Sequence, residues 1–163
     1  EHDFWAKVSL RDESAKVPLI ISAPGKKPGI CHSFVELLDL YPTLSSLCGL
    51  TKQDRLQGKD ISPMLDDPSY EVREEAFCVA PMRTGFLLRN KKWAFIQYGE
   101  KLPAQLKGGF EHGRNGIELF DMEQDPQQFT NLSDTLKYQP VVQSFRKKLQ
   151  GKLAVIRDCD LKK

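Results

Sequence analysis

Histidine is scarce in this chain, limited to His2, His32 and His112, and no HExxH or GxSxG is present. That excludes the helix-borne zinc site of metalloproteases and the serine nucleophile elbow. The four cysteines, Cys31, Cys48, Cys78 and Cys159, form no CxxC and share no close spacing with a histidine, so a structural zinc is excluded as well. No apolar run is long enough to cross a membrane as a helix. Neither sign of charge dominates: 24 Lys and Arg against 22 Asp and Glu leave a net charge of +2. With the basic residues scattered in isolated pairs, there is no electrostatic footprint for nucleic acid or for an anionic membrane, and neither is expected as a partner.

What is present is an ordinary globular composition. With 163 residues, 40% hydrophobic and 28% charged, the chain can bury one good core or two small ones. Its first twenty residues hold Phe4, Trp5, Lys7 and a strand-like apolar run, more than a loose natural terminus carries, and they read as a cut end. Residues 17–23, VPLIISA, stopped by Pro24-Gly25, suit a strand buried on both faces of a parallel or mixed sheet whose neighbours are not in this sequence.

In SFVELLDLYPTLSSLCGL, Ser33 and Glu36 have capping-box spacing, and Leu37, Leu40, Tyr41, Leu44, Leu47 and Cys48 recur at helical intervals up to Gly49. Pro42 is tolerated only in a first turn, which favours Asp39 as N-cap and a helix over 40–48. Residues 51–70 are polar and broken by Gly58, Pro63 and Pro68, with a short helical turn around Ile61, Met64 and Leu65, and read as a linker. After about residue 75 the period changes to two. Segments 76–80, 84–88, 93–98 and 117–122 are expected to form about four antiparallel strands, and the stripe Val142, Phe145, Leu149, Leu153 and Ile156 a helix laid across them. The glycine-rich stretch 99–116 is long enough to be a functional loop. The organisation expected is therefore two parts: 1–70, an α/β remnant plus linker, and 71–163, an α+β subdomain of antiparallel sheet and packed C-terminal helix.

Candidate chemistry is thin. Lys7, two residues beyond Trp5 and ahead of the strand-like run, suits an ammonium fixed over an anionic group with the indole walling off water, although an exposed lysine beside a surface aromatic has the same pattern. Cys48 and Cys78 read as buried free thiols. Asn131-Leu132-Ser133 fits a glycosylation acceptor.

Read in order, Glu1-His2, Phe4-Trp5-Ala6-Lys7, Val17-Pro18-Leu19-Ile20, Val35 through Leu44 to Gly49, Gly58-Lys59-Asp60-Ile61 and Glu118-Leu119-Phe120-Asp121 to Asn131-Leu132 resemble the C-terminal third of type I sulfatases. These belong to the alkaline-phosphatase-like superfamily, and the likeness is greatest to the iduronate-2-sulfatase branch. The resemblance implies a fragment of a sulfatase acting on sulfate esters, with sulfated sugars as the expected class, and with calcium and a formylglycine nucleophile in the full-length parent and none bound here. Lys7 matches the family lysine that contacts the sulfate, and Trp5, His112 and Arg114 are the expected substrate-binding residues. The missing N-terminal catalytic domain is the expected partner, and an exported location, periplasmic, extracellular or lysosome-like, goes with the family. Cys78-Val79-Ala80-Pro81-Met82-Arg83 misses the family's Cys-x-Pro-x-Arg signature by one residue and reads as a coincidence inside a strand. Two alternatives remain: a phosphonate monoester or phosphodiester hydrolase of the same superfamily, and a stand-alone binding module without catalysis.

Overall fold

The structure, a computed structural model, describes residues 9–51, 54–80, 85–99 and 116–160, the last four of these by backbone alone. The chain divides into two compact units, one of Glu1–Lys16 with Cys78–Lys163 and one of Val17–Phe77. This grouping differs from the expected parts, 1–70 and 71–163, chiefly in placing 1–16 with the later residues. The segment 9–16 belongs with the C-terminal sheet because Arg11 forks onto Glu118, Nε to Oε2 at 3.3 Å and Nη2 to Oε1 at 3.1 Å, with both side chains almost wholly buried.

The first unit is built on a sheet of four strands in the order β1 (Glu75–Val79), β2 (Gly85–Asn90), β3 (Trp93–Tyr98) and β4 (Ile117–Asp121). The pairs β2–β3 and β3–β4 are antiparallel, with Leu87 opposite Ile96 and Phe95 opposite Leu119. Alternation along β3 assigns its two faces. Ala94, Ile96 and Tyr98 join Leu10, Ala80, Leu87, Phe120 and Met122 in one cluster, against which Ala15 of the short helix α1 (Asp12–Ala15) and Cys78 also pack. On the other face Phe95 stacks on Phe145 of the long helix, with ring centroids 5.4 Å apart, and Trp93 meets Tyr138 edge-on. Both faces are thus covered, which is why the residues of β4 are buried throughout.

The outer edge of β4 is closed by the chain that follows it. Leu132 N–H donates to Leu119 O, Leu119 N–H donates to Asn131 Oδ1, and Asn131 Nδ2 and Ser133 Oγ both donate to Ile117 O. An edge that would otherwise offer unpaired backbone groups is satisfied without a fifth strand.

In the second unit a one-turn 3-10 helix (Leu37–Asp39) runs into α2 (Leu40–Leu47), with Cys48 as C-cap and Gly49 at φ 66°. Pro42 lies in the first turn, as expected. The N-terminal cap involves Glu36 and Asp39 rather than Ser33: Glu36 N–H donates to Asp39 Oδ2 at 2.8 Å. Residues 51–70 are no bare linker, since Ile61 and Met64 flank and fill the 3-10 turn Ser62–Leu65 and are buried. The expected buried strand at 17–23 is not formed. Among the described residues this segment belongs to no sheet, and Val17 and Ile20 are 60% and 90% exposed. Its apolar character asks for neighbours, and a strand cannot supply its own. Cys48, expected buried, is exposed, while Cys78 lies half-buried in β1. The third helix, α3, covers Gln139–Asp160.

Candidate functional site

Lys7, Trp5, His112 and Arg114 all lie outside the described residues. What the structure shows is how the chain on either side of them is held. Beyond Lys7, Ser9 Oγ accepts the Arg11 N–H at 2.9 Å. Leu10 is 2% exposed in the sheet cluster. Arg11 then grips Glu118, donates through Nη1 to Gln128 O at 3.2 Å, and lies 5.0 Å from the centre of the Phe120 ring. Asp12 accepts from Arg89 Nε at 3.3 Å, and its N–H donates to Gln128 Oε1 at 2.7 Å. Gln128 holds φ at 60° and is fully buried, a left-handed backbone turn that lets its carbonyl and its side chain face the same segment.

The stretch 100–115 is rooted close by. Tyr98, the last residue of β3, donates its N–H to Gly116 O at 2.8 Å, and Gly116 turns at φ 64° into β4. Tyr98 is also paired with Gly85 across the ladder. A Cβ on Gly85 would come within 2.9 Å of the Tyr98 ring and 3.0 Å of Leu10 Cδ1, so these three residues are in close packing. The segment leading out of Lys7 and the roots of the His112 and Arg114 loop are therefore brought to one end of one sheet. Burial, and then the charge of Glu118, push the Tyr98 phenol above its ordinary pKa, so it stays neutral and contributes no anion there.

The carboxylates of the described residues are largely engaged with cations or backbone. Glu118 faces Arg11. In the second unit, Asp39 is completely buried, bound by Arg73 through both nitrogens of the fork and by the N–H groups of Lys59 and Glu36. Burial works to raise its pKa, but the Arg73 hydrogen bond and the two backbone donors prevail and hold the carboxyl below its ordinary value. Among the described residues no group of three His, Cys, Asp or Glu side chains is placed to hold a metal ion. An open cleft of about 560 Å³ in the second unit is lined by Asp54, Lys59, Asp60 and Tyr70 among others, but Lys59 Nζ is turned onto Val72 O at 2.9 Å.

Sequence reading missed three elements: the Arg11–Glu118 pair, the Arg73–Asp39 pair and the clamp made by Asn131. The first two join residues 107 and 34 positions apart and leave no local pattern. Asn131 was visible, but as a glycosylation acceptor; its amide is occupied with β4.

The family profile described as N-sulphoglucosamine sulphohydrolase, C-terminal, matches residues 1–154. The chain is 29% identical over 166 residues to arylsulfatase K of Gallus gallus, covering 93% of this chain and 28% of that protein. It is 30% identical over 139 residues to a choline-sulfatase of Rhizobium meliloti, covering 82% and 24%. Among solved structures, a candidate sulfatase of Bacteroides thetaiotaomicron superposes with a TM-score of 0.72 at 25% identity, over 93% of this chain and 32% of that one. The fold alone is shared with a phosphonate monoester hydrolase of Silicibacter pomeroyi, TM-score 0.61 at 19% identity over 82% and 28%. The chain spans about a quarter of the length of the curated relatives it matches. With the family profile covering nearly all of its length and the sheet and helix of the C-terminal subdomain in place, this chain belongs to the type I sulfatases, as their C-terminal portion.

Proposed function

We propose that the chain serves an enzyme that hydrolyses sulfate esters, with a sulfated sugar as the substrate class. The observation that carries this reading is the family match over residues 1–154. In the full-length enzyme the nucleophile, a formylglycine, and the calcium that binds the sulfate would come from the N-terminal catalytic domain, and residues 1–163 alone would be inert. This chain's contribution is a cation: Lys7 against a sulfate oxygen, where a preplaced charge stabilises the transition state more than the ground state. Trp5 shields it from water, and His112 and Arg114 reach the leaving sugar, Arg114 being shaped for a carboxylate. The anchoring of 9–12 on β4 and the joining of Tyr98 to Gly116 support a common location for these residues. Export to a periplasmic, extracellular or lysosome-like compartment accompanies this reading.

The fold shared with a phosphonate monoester hydrolase keeps a second reaction in view. Assaying the full-length parent on paired sulfate and phosphonate esters of one aryl alcohol, then on sulfated disaccharides, separates them. Faster hydrolysis of the sulfate esters is expected; turnover of the phosphonate with the sulfate untouched overturns the proposal. A stand-alone binding module is disfavoured by the exposed, unpaired segment 17–23.

A further inference from the structure

Arg11 and Glu118 form an ion pair inside the sheet unit, with side chains 8% and 0% exposed. The guanidinium gives Nε and Nη2 to the carboxylate and Nη1 to Gln128 O, and it lies against the Phe120 ring. Taking two charges out of water costs so much that a well-packed apolar pair of similar volume is often as stable or more so. What an apolar pair lacks is direction, whereas a guanidinium fork on a carboxylate has one geometry. Gln128 departs from the ordinary in the same sense. Its φ of 60° is a conformation natural to glycine, yet its side chain is in use: Oε1 accepts the Asp12 N–H at 2.7 Å while its carbonyl accepts from Arg11. Asp12 in turn accepts from Arg89 Nε on β2, and Leu10 is buried so near Gly85 and Tyr98 that a Cβ on the glycine would fall 3.0 Å from Leu10 Cδ1. Three consecutive residues are thus fastened to β2, to β4 and to the chain beyond β4.

We propose that Arg11 and Glu118 are positioning residues for Lys7, the ion pair setting where the chain four residues upstream presents its ammonium. Four residues of chain span at most about 14 Å, so a shift at the pair reaches Lys7 over a short tether. A misplacement of about 1 Å at a reacting centre can cost about 100-fold in rate, which is the scale on which a directional pair differs from an apolar one. The role assigned to Arg11 rests on the proposed function of Lys7; the geometry of the pair does not.

The test is a double-mutant cycle in the full-length parent, read on whichever of the paired sulfate and phosphonate esters it turns over. Arg11→Met combined with Glu118→Leu replaces the ion pair by apolar side chains and should leave the melting temperature close to the parental one. Its kcat is expected to fall at least tenfold, with KM changed less than threefold. In a Lys7→Ala background the same replacement should change kcat less than twofold, because residues that act through Lys7 then have nothing left to place. Arg11→Lys, which keeps the charge and loses the fork, supplies the same cycle if the apolar pair does not fold. Equal falls in the two backgrounds overturn the proposal, since the pair would then serve the fold alone. Parental kcat in the apolar-pair enzyme overturns it as well, and so does parental kcat in Lys7→Ala. Non-additivity on the phosphonate ester, with the sulfate ester untouched, would remove the sulfatase reading and keep the positioning role; a sulfatase in which the two changes simply add would do the reverse.

Discussion

Arg73 holds both carboxylate oxygens of Asp39, with Nη2 2.7 Å from Oδ1 and Nη1 on Oδ2, while its Nε lies 3.6 Å from Glu36. One guanidinium thereby fixes the entry to α2 and the end of the stretch leading into β1. Replacing Arg73 by Ala leaves a buried carboxylate with only backbone donors, which costs on the order of 3 kcal/mol. Arg73→Lys should recover less than half of that, because an ammonium cannot offer two parallel donors. Denaturant midpoints of the three proteins measure both effects.

The same pair sets an acid limit. The Asp39 carboxyl is held below its ordinary 3.8, so its contribution to stability is complete above that pH and is lost as the pH falls through the lower value in the folded protein. Melting temperature followed from pH 6 to pH 2 should fall more steeply in the parental chain than in Asp39→Asn, with the difference confined to the region below about 4. Parallel curves would show that Asp39 is not the group responsible.

Gly58 is required for space rather than for backbone freedom. A methyl group there would meet Leu38 O at 1.9 Å and Leu38 C at 2.4 Å, both of them main-chain atoms that cannot rotate away. Gly58→Ala should destabilise by about 3 kcal/mol, comparable with severe overpacking. Gly25 and Gly49 differ, having positive φ and open surroundings. Equilibrium unfolding of Gly58→Ala beside Gly49→Ala distinguishes a clash from conformational cost.

Asn131 is spent on the edge of β4, accepting from Leu119 and Ser133 and donating to Ile117. Asn131→Ala should cost about 2 kcal/mol, since it strands buried backbone groups. Hydrogen exchange at the Leu119 amide should quicken markedly in the variant. Mass spectrometry of the protein made in a glycosylating host should find the unsubstituted asparagine in the folded fraction, because an N-linked glycan would need the nitrogen now bonded to Ile117 O.

For the reaction itself, Lys7→Ala in the full-length parent should lower turnover by orders of magnitude, about 3 kcal/mol in the barrier, with the melting temperature unchanged. A rate equal to that of the parental enzyme would take Lys7 out of the site.

The sheet was legible because its chemistry is local. Trp93 to Tyr98 alternates between two faces, and the observed strands depart from the expected ones by a residue or two at their ends. Helix α2 was also legible in its bounds, since Asp39, Pro42 and Gly49 are punctuation that acts within a turn or two. Its orientation was not. Periodicity identifies a stripe but not which way it faces, and Leu37, Tyr41 and Leu44 look outward because Asp39 and Thr43 are bonded inward. Segment 17–23 failed for a related reason: an apolar run records a demand for cover, and the partner that meets the demand is not written in the run. The grouping of 9–16 with the later sheet was not legible, because Arg11 and Glu118 find each other only in three dimensions. The four candidate site residues remain expectations drawn from order and resemblance.

The grip of Arg11 and Asp12 on β4, Arg89 and Gln128 has a bearing on how the molecule would tolerate a nick. Residues 9–16 belong to the unit that resumes at Cys78, with the whole of Val17–Phe77 strung between them as an excursion. Were the backbone severed within that excursion, residues 9–16 would stay docked on the sheet through the buried Arg11–Glu118 pair, and the two pieces would hold together without a covalent link.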